Sequence, residues 1–289
     1  MYLPGGIIGT AKSKGDDNDN ELSKTFAFKE VTGEIELALA NNGNLRPNTL
    51  INQVTTTLVQ TLDQVGGKTP NRDLVLNLSV SDRQFLIRQL AKHLNLDEVW
   101  LTADCRFCSK QFDFFIRQSE LPVKPAGQSY PFTEVNTSQG KLTLRVPAGK
   151  DQELINITDN DEKNIKTLVH NLIVNTDTSL PKFNYAFTPD DLTCIEQALE
   201  ETAPEVATKV VTNCPECGES NQIGINPYLC LEMVGNTIFA DIHTLASHYH
   251  WSEKDILSLP RSRRQIYLRL IDNSQGAQNQ RTMLPLFND

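Results

Sequence analysis

EVWLTADCRFCSKQFDFFI, residues 98–116, carries the pattern that decides the fold. Two runs rich in β-branched and aromatic residues, EVWLTAD (98–104) and QFDFFI (111–116), flank Cys105-Arg106-Phe107-Cys108. The spacing predicts a hairpin whose turn is a Cys-x-x-Cys. The same arrangement returns in VATKVVTNCPECGESNQIGI (206–225), where Cys214 and Cys217 sit in the turn and Gly218 follows. A tight turn between strands aims two sulfurs at one point, which is half of a tetrahedral thiolate site. Glycine after the second cysteine suits the close backbone turn of such a zinc-knuckle-like hairpin.

Cys105, Cys108, Cys214 and Cys217 are therefore the candidate ligands of one structural zinc. Four thiolates leave no open position for water, so catalytic zinc is not expected. The two halves are 106 residues apart, beyond the linker of a local zinc ribbon, so the tertiary fold has to close the site. Two other uses of the thiols stay open: a thiol–disulfide switch, without the strand–CxxC–helix context of thioredoxins, and a reduced, empty remnant. Cys194 and Cys230 stand alone, as small buried hydrophobes usually do.

Around the hairpins the apolar residues recur mostly at helical spacing. Leu50, Ile51, Val54, Leu58, Leu62 and Val65 form one stripe, stopped by Gly66-Gly67. Ser81 and Gln84 read as a capping box, with Val80 and Phe85 as its staple. KLTLRV (141–146) reads as a strand, and 151–173 and 189–202 as helices. Ser252 with Asp255 caps a short helix, and Pro260 opens a last one carrying Ile266, Tyr267, Leu270 and Ile271. The expected fold is α+β, mainly helical, with two small Cys-x-x-Cys β-hairpins and a helical C-terminal region.

Its expected organisation is a disordered tail over 1–25, a helical region over 26–97, the first hairpin and its β region over 98–150, and a helical region over 151–206. The second hairpin (207–226), a C-terminal helical region (227–272) and a second tail (273–289) complete it. The first tail holds DDNDNE (16–21) and too little apolar area to offset its ordering entropy. The second carries Met283, Leu284, Leu286 and Phe287 beyond a polar spacer, either a frayed end or a docking peptide.

Composition narrows the function classes. The 289 residues are 39% hydrophobic and carry a net charge of −9, which disfavours a broad phosphate-tracking surface or an anionic membrane surface. No stretch approaches the roughly 18 uninterrupted apolar residues of a membrane span, and the opening MYLPGGIIGTAKSKGDD lacks the form of a signal peptide. GGIIG is no phosphate cradle, no GxSxG elbow occurs, and His93, His170, His243, His248 and His250 form no metal pair. An enzyme with a small-molecule substrate is not expected.

DIHTLASHYHWSEKDILSLPRSRRQIYLRLI (241–271) resembles the T4-type baseplate hub assembly chaperone family of contractile phage tails and contractile injection systems. Five further segments resemble it, in chain order: FAFKEVTGEIELALA (26–40), VSDRQFLIRQL (80–90), DCRFC (104–108), RVPAGKDQE (145–153) and NCPECGE (213–219). Lys29 stands where the family has arginine and Ser81 where it has glycine. The resemblance implies a non-enzymatic assembly factor or structural component of the baseplate hub. Its partners would be hub, spike or tail-tube-initiator proteins, met in the cytoplasm of the producing cell or in the baseplate of the particle.

Binding energy and mass action would do the work. The expected partner surface is Trp251 with Arg261, Arg263, Arg264 and Arg269, the residue types of interface hot spots. The other reading of Trp251 is a buried helix staple. The alternative function is a zinc-dependent nucleic-acid-binding module that sets the arginines of the C-terminal helices in a groove.

Overall fold

A computed structural model describes residues 1–8, 24–41, 47–61, 70–155, 161–176 and 186–281. The chain divides into two units, Met1–Phe28 with Arg46–Leu229, and Lys29–Leu45 with Cys230–Asp289. The fold is α+β, and every named strand pair is antiparallel.

The larger unit contains a three-stranded sheet of Phe132–Thr137, Gly140–Arg145 and Ile173–Thr176. Alternation along KLTLRV turns Leu142 and Leu144 inward, where they meet Val135, Val169, Leu172, Ile173 and Ile195. The last four come from the helix Asp161–Leu172, the strand after it and the helix Pro189–Thr202. Thr188 caps the second helix, with Pro189 at its first position. Asp191 joins that cap to the hairpin turn, accepting from the Ser138 N–H at 2.7 Å and the Ser138 hydroxyl at 2.6 Å. Burial works against this carboxylate, but the Ser138 and Thr188 donors hold its pKa down at about 2.

Helix Val80–His93 is capped two residues before the expected position. Ser79, not Ser81, is the N-cap and accepts from the Asp82 N–H at 3.0 Å. The reason is tertiary: Ser79 bridges Ala148 and the Val80 N–H donates to Pro147. Asp82 then turns inward, fully buried, and takes the Gly5 N–H at 2.9 Å, the Gly6 N–H at 3.2 Å and the Ser79 hydroxyl at 2.7 Å.

These contacts correct the expected tail at its start. Residues 1–8 are packed, with Leu3, Ile7 and Ile8 buried, while 9–23, including DDNDNE, lie outside the described residues. Gly5 is needed there, because a Cβ would stand 2.7 Å from the Asp82 carboxylate and 2.8 Å from the Tyr130 ring. Asp82→Ala strands two buried N–H groups and a hydroxyl, so its expected cost is about 3 kcal/mol. A urea titration reads this as a lowered midpoint with an unchanged slope.

Other departures are local. The stripe at 50–65 is a helix over Pro47–Leu58; a strand, Val59–Thr61, follows and pairs with Ala27–Phe28, and Leu62 and Val65 lie outside the described residues. Gly66-Gly67 lies outside the described residues. The expected helix at 151–173 is two helices, Gly149–Leu154 and Asp161–Leu172.

The smaller unit is helical: Gly33–Asn41, Leu229–Tyr249, Glu253–Ser258 and Arg261–Arg281. Its last helix passes the expected end at 272, so the second tail begins as helix; 282–289, with the apolar cluster, lies outside the described residues. Leu245, Ile256 and Ile271 form the core. Trp251 is half-buried beside them, stacked on Tyr249 at 4.8 Å and edge-on to Tyr267 at 4.9 Å. Segment 29–45 belongs with these C-terminal helices, which divides the expected region 26–97 between the units.

Candidate metal centre

Both cysteine pairs lie in turns between antiparallel strands of the larger unit. Glu98–Asp104 pairs with Gln111–Arg117, and Lys209–Asn213 with Ser220–Gly224. The two turns are near copies. The Cys105 N–H donates to Lys110 and the Cys214 N–H to Glu219, each at 2.9 Å. The Ser109 N–H returns to Cys105 and the Gly218 N–H to Cys214, again at 2.9 Å. The residue after each second cysteine is left-handed, with φ 56° at Ser109 and 77° at Gly218. Glycine meets that demand without strain in one turn, and serine carries it in the other.

The fold brings all four sulfurs together. Cys105 and Cys217 are 3.6 Å apart, Cys108 and Cys214 are 3.8 Å apart, and all four sulfurs lie within 4.8 Å of one another. A tetrahedral ion with four Cys sulfurs at about 2.3 Å requires edges of about 3.8 Å. A disulfide would need about 2.05 Å, and all six cysteines are free. Both of these pairs join one hairpin to the other, so an ion here would tie the two together. Among the described residues no other His, Cys, Asp or Glu group has ligand atoms this close, and the histidines enter none.

Electrostatics at the centre are uneven. Burial disfavours the Cys105 thiolate, but N–H donors from Cys108 and Phe107 and the Asn221 amide outweigh it and pull its pKa to about 6. The Glu219 N–H favours a thiolate at Cys217, yet burial and the three neighbouring sulfurs push that thiol up to about 12. Without a cation the cluster cannot carry four negative charges. A divalent ion is the group that removes this repulsion and takes four thiolates at once.

The sequence reading missed Asn221. It is buried, its side-chain carbonyl accepts the Arg106 N–H at 3.0 Å, and its amide donates to the Cys105 sulfur at 3.5 Å and the Glu219 carbonyl at 2.9 Å. One side chain of the second hairpin thus orients a candidate ligand of the first. Asparagine three residues beyond a knuckle glycine is too common in turns to have been singled out. Lys110 reaches Glu216 at 2.5 Å across the same junction, an exposed pair of small worth.

The expected partner residues are not brought together on one surface. Arg261 and Arg264 are buried and bound to Glu36, Arg261 at 2.9 Å, while Arg264 also lies 3.6 Å from Asp241. Their assignment to a docking face is therefore corrected: a fully desolvated guanidinium needs a carboxylate, and Glu36 supplies it from a helix distant in sequence. Arg263 and Arg269 are exposed, and Trp251 is held in its aromatic stack. The nucleic-acid reading loses two of its four cations by the same burial.

Two other motifs of the resemblance, 80–90 and 145–153, meet inside the larger unit. Arg83 is fully buried and donates to Asn52 at 2.6 Å and Gln152 at 2.7 Å. A Cβ on Gly149 would stand 2.3 Å from the Arg83 guanidinium, so this glycine is fixed by close approach. Arg145 holds Asp151 in a bidentate pair at 2.5 Å, and Asp151 also accepts the Ala148 N–H at 2.8 Å. These contacts tie helix Val80–His93 to the 145–153 segment within the larger unit.

The family model for the T4 bacteriophage base plate protein matches residues 20–227, more than half of the chain. The match includes both hairpins and all four clustered cysteines, and it ends before the 241–271 run. No curated protein and no solved structure matches the chain.

Proposed function

The chain belongs to the T4 bacteriophage base plate protein family, and on that premise we propose that it is a non-enzymatic assembly factor or structural component of the baseplate hub, built on a zinc-clamped scaffold. Family membership carries a structural or assembly role in a phage baseplate and contact with other baseplate or tail proteins. Among the described residues no helix is long and apolar enough to cross a membrane. The finer reading takes in the hub, its spike or tail-tube-initiator partners, and a phage or contractile injection apparatus. Assembly in the cytoplasm of the producing cell belongs to it as well.

One observation carries the proposal: two distant hairpins bring four sulfurs within 4.8 Å of one another, and two cross-hairpin separations, 3.6 and 3.8 Å, are close to the edge of a tetrahedral thiolate site. Cys105, Cys108, Cys214 and Cys217 would hold the ion, which supplies a cross-link between the hairpins and no reaction. A four-thiolate ion is closed to water, so the site is a clamp. What the clamp offers an assembling tail is a fixed shape, which lowers the ordering cost of each partner that binds.

Asn221→Ala tests the support of the clamp. It removes the amide on the Cys105 sulfur and the acceptor for the Arg106 N–H, and the expected loss is about 10-fold to 100-fold in zinc affinity. Competition with a chromophoric chelator measures this, and an unchanged affinity would show that Asn221 has no part in holding the ligand.

For the function itself, a phage encoding Cys214→Ser/Cys217→Ser is grown beside the wild type and its lysates are imaged by electron microscopy. Loss of complete baseplates with the other tail proteins still present is the expected result. Normal numbers of contractile tails would remove the scaffold role.

A further inference from the structure

We propose that the outer face of the first cysteine hairpin, together with the groove it forms with the second, docks an extended basic-apolar segment of another protein. The inference rests on the reading that the four cysteines hold the two hairpins together. Trp100 is 70% exposed and Val211 71% exposed, values unusual for large apolar side chains on ordered strands. Trp100 lies opposite Phe115 in the strand register, and their rings meet at 5.6 Å. Phe115, Ile116 and Leu121 of the first hairpin region line one groove with Val210 and Val211 of the second, with a volume of about 250 Å³. The apolar face therefore runs from one hairpin onto the other and exists only while both are held in place.

The charges on that face select the occupant. Alternation along the strands puts Glu98, Asp104, Asp113 and Arg117 on the same side as Trp100 and Phe115. Arg117 is engaged by Glu98 and Glu120, both at 2.5 Å. Asp104 and Asp113 have no described lysine or arginine as an ion-pair partner; Asp113 takes only the Thr102 hydroxyl, at 2.7 Å. An aromatic pair bordered by carboxylates without a described cationic partner complements an apolar side chain flanked by lysine or arginine.

The backbone points the same way. Gln111–Arg117 and Lys209–Asn213 belong to separate two-stranded sheets, so each has one edge without a partner strand among the described residues. An extended segment can pair with such an edge while its alternate side chains enter the groove. A second copy of this face is the poorer occupant, because the same carboxylates would meet like charge.

The test uses the full chain purified without chelator and two short dye-labelled peptides, one alternating valine with lysine and one valine with glutamate. Fluorescence anisotropy should show saturable binding of the lysine peptide, weakening as salt rises, and none of the glutamate peptide. Trp100→Ala should weaken it about tenfold or more, and Asp104→Lys/Asp113→Lys should reverse the preference. All three side chains are exposed, so zinc content and melting temperature should stay at the wild-type values. No saturable binding, equal binding of both peptides, or an unchanged affinity in Trp100→Ala would overturn the proposal. A concentration-dependent dimer in sedimentation that Trp100→Ala abolishes would overturn it too, by giving the face to a second copy. A chain that binds the lysine peptide but holds no zinc would retain the surface and refute the clamp.

Discussion

The Cys214→Ser/Cys217→Ser chain is expected to melt roughly 10–20 °C below the wild type and to hold no zinc. Structural zinc contributes about 10–16 kcal/mol of apparent binding energy in isolated finger peptides. The hairpins here keep other support, since Phe112, Phe114 and Ile116 are buried along one strand. The metal therefore has to supply only part of that amount, about 5 kcal/mol. In a unit of this size each kcal/mol moves the midpoint by about 2–4 °C. Calorimetry of the variant and of chelated wild type should give the same lowered transition. Trypsin should then cut at Arg106 and Lys110, which the clamped turns protect. A variant that melts with the wild type would show that packing alone holds the hairpins.

Glu36→Leu should destabilise the C-terminal helical unit by about 3–5 kcal/mol, because it leaves Arg261 and Arg264 buried with too little counter-charge. Both guanidinium groups bind the Glu36 carboxylate, and Asp241 is the second acid of the cluster, 3.6 Å from Arg264. Burial pushes the Asp241 pKa up, and the neighbouring arginines oppose that shift, so Asp241 alone is a poor replacement for Glu36. For a unit of fewer than 100 residues the loss corresponds to more than about 12 °C, seen as an early helical transition in circular dichroism. Adding Arg261→Met and Arg264→Leu to Glu36→Leu should restore most of the stability, since an apolar replacement of the whole cluster avoids the desolvation cost. A Glu36→Leu chain with wild-type melting would mean that the ion pairs contribute nothing net.

The two predictions fall on different kinds of sequence information. The Cys-x-x-Cys turns were legible because hairpin and ligand spacing are both local, and the α+β class and the helix Pro189–Thr202 were legible for the same reason. The Glu36–Arg264 pair was not, because 228 residues separate its members and no local pattern marks a charge for burial. The arginines were therefore read as surface hot spots when the fold turns two of them inward. The cap at Ser79 was missed because its contacts are with Pro147 and Ala148, far along the chain. Residues 1–8 were misread as tail because composition averaged their apolar start with the charged stretch after it. Asn221 and the groove between Phe115 and Val211 depend on how two hairpins meet, which only the tertiary structure contains.

X-ray absorption at the zinc edge, on the full chain purified without chelator and with metal per protomer counted in parallel, asks whether the hairpins share an ion. The prediction is one zinc per chain, surrounded by four sulfurs at about 2.3 Å. A metal-free chain with four titratable thiols at these positions, or a zinc shell containing oxygen or nitrogen in place of sulfur, would contradict it.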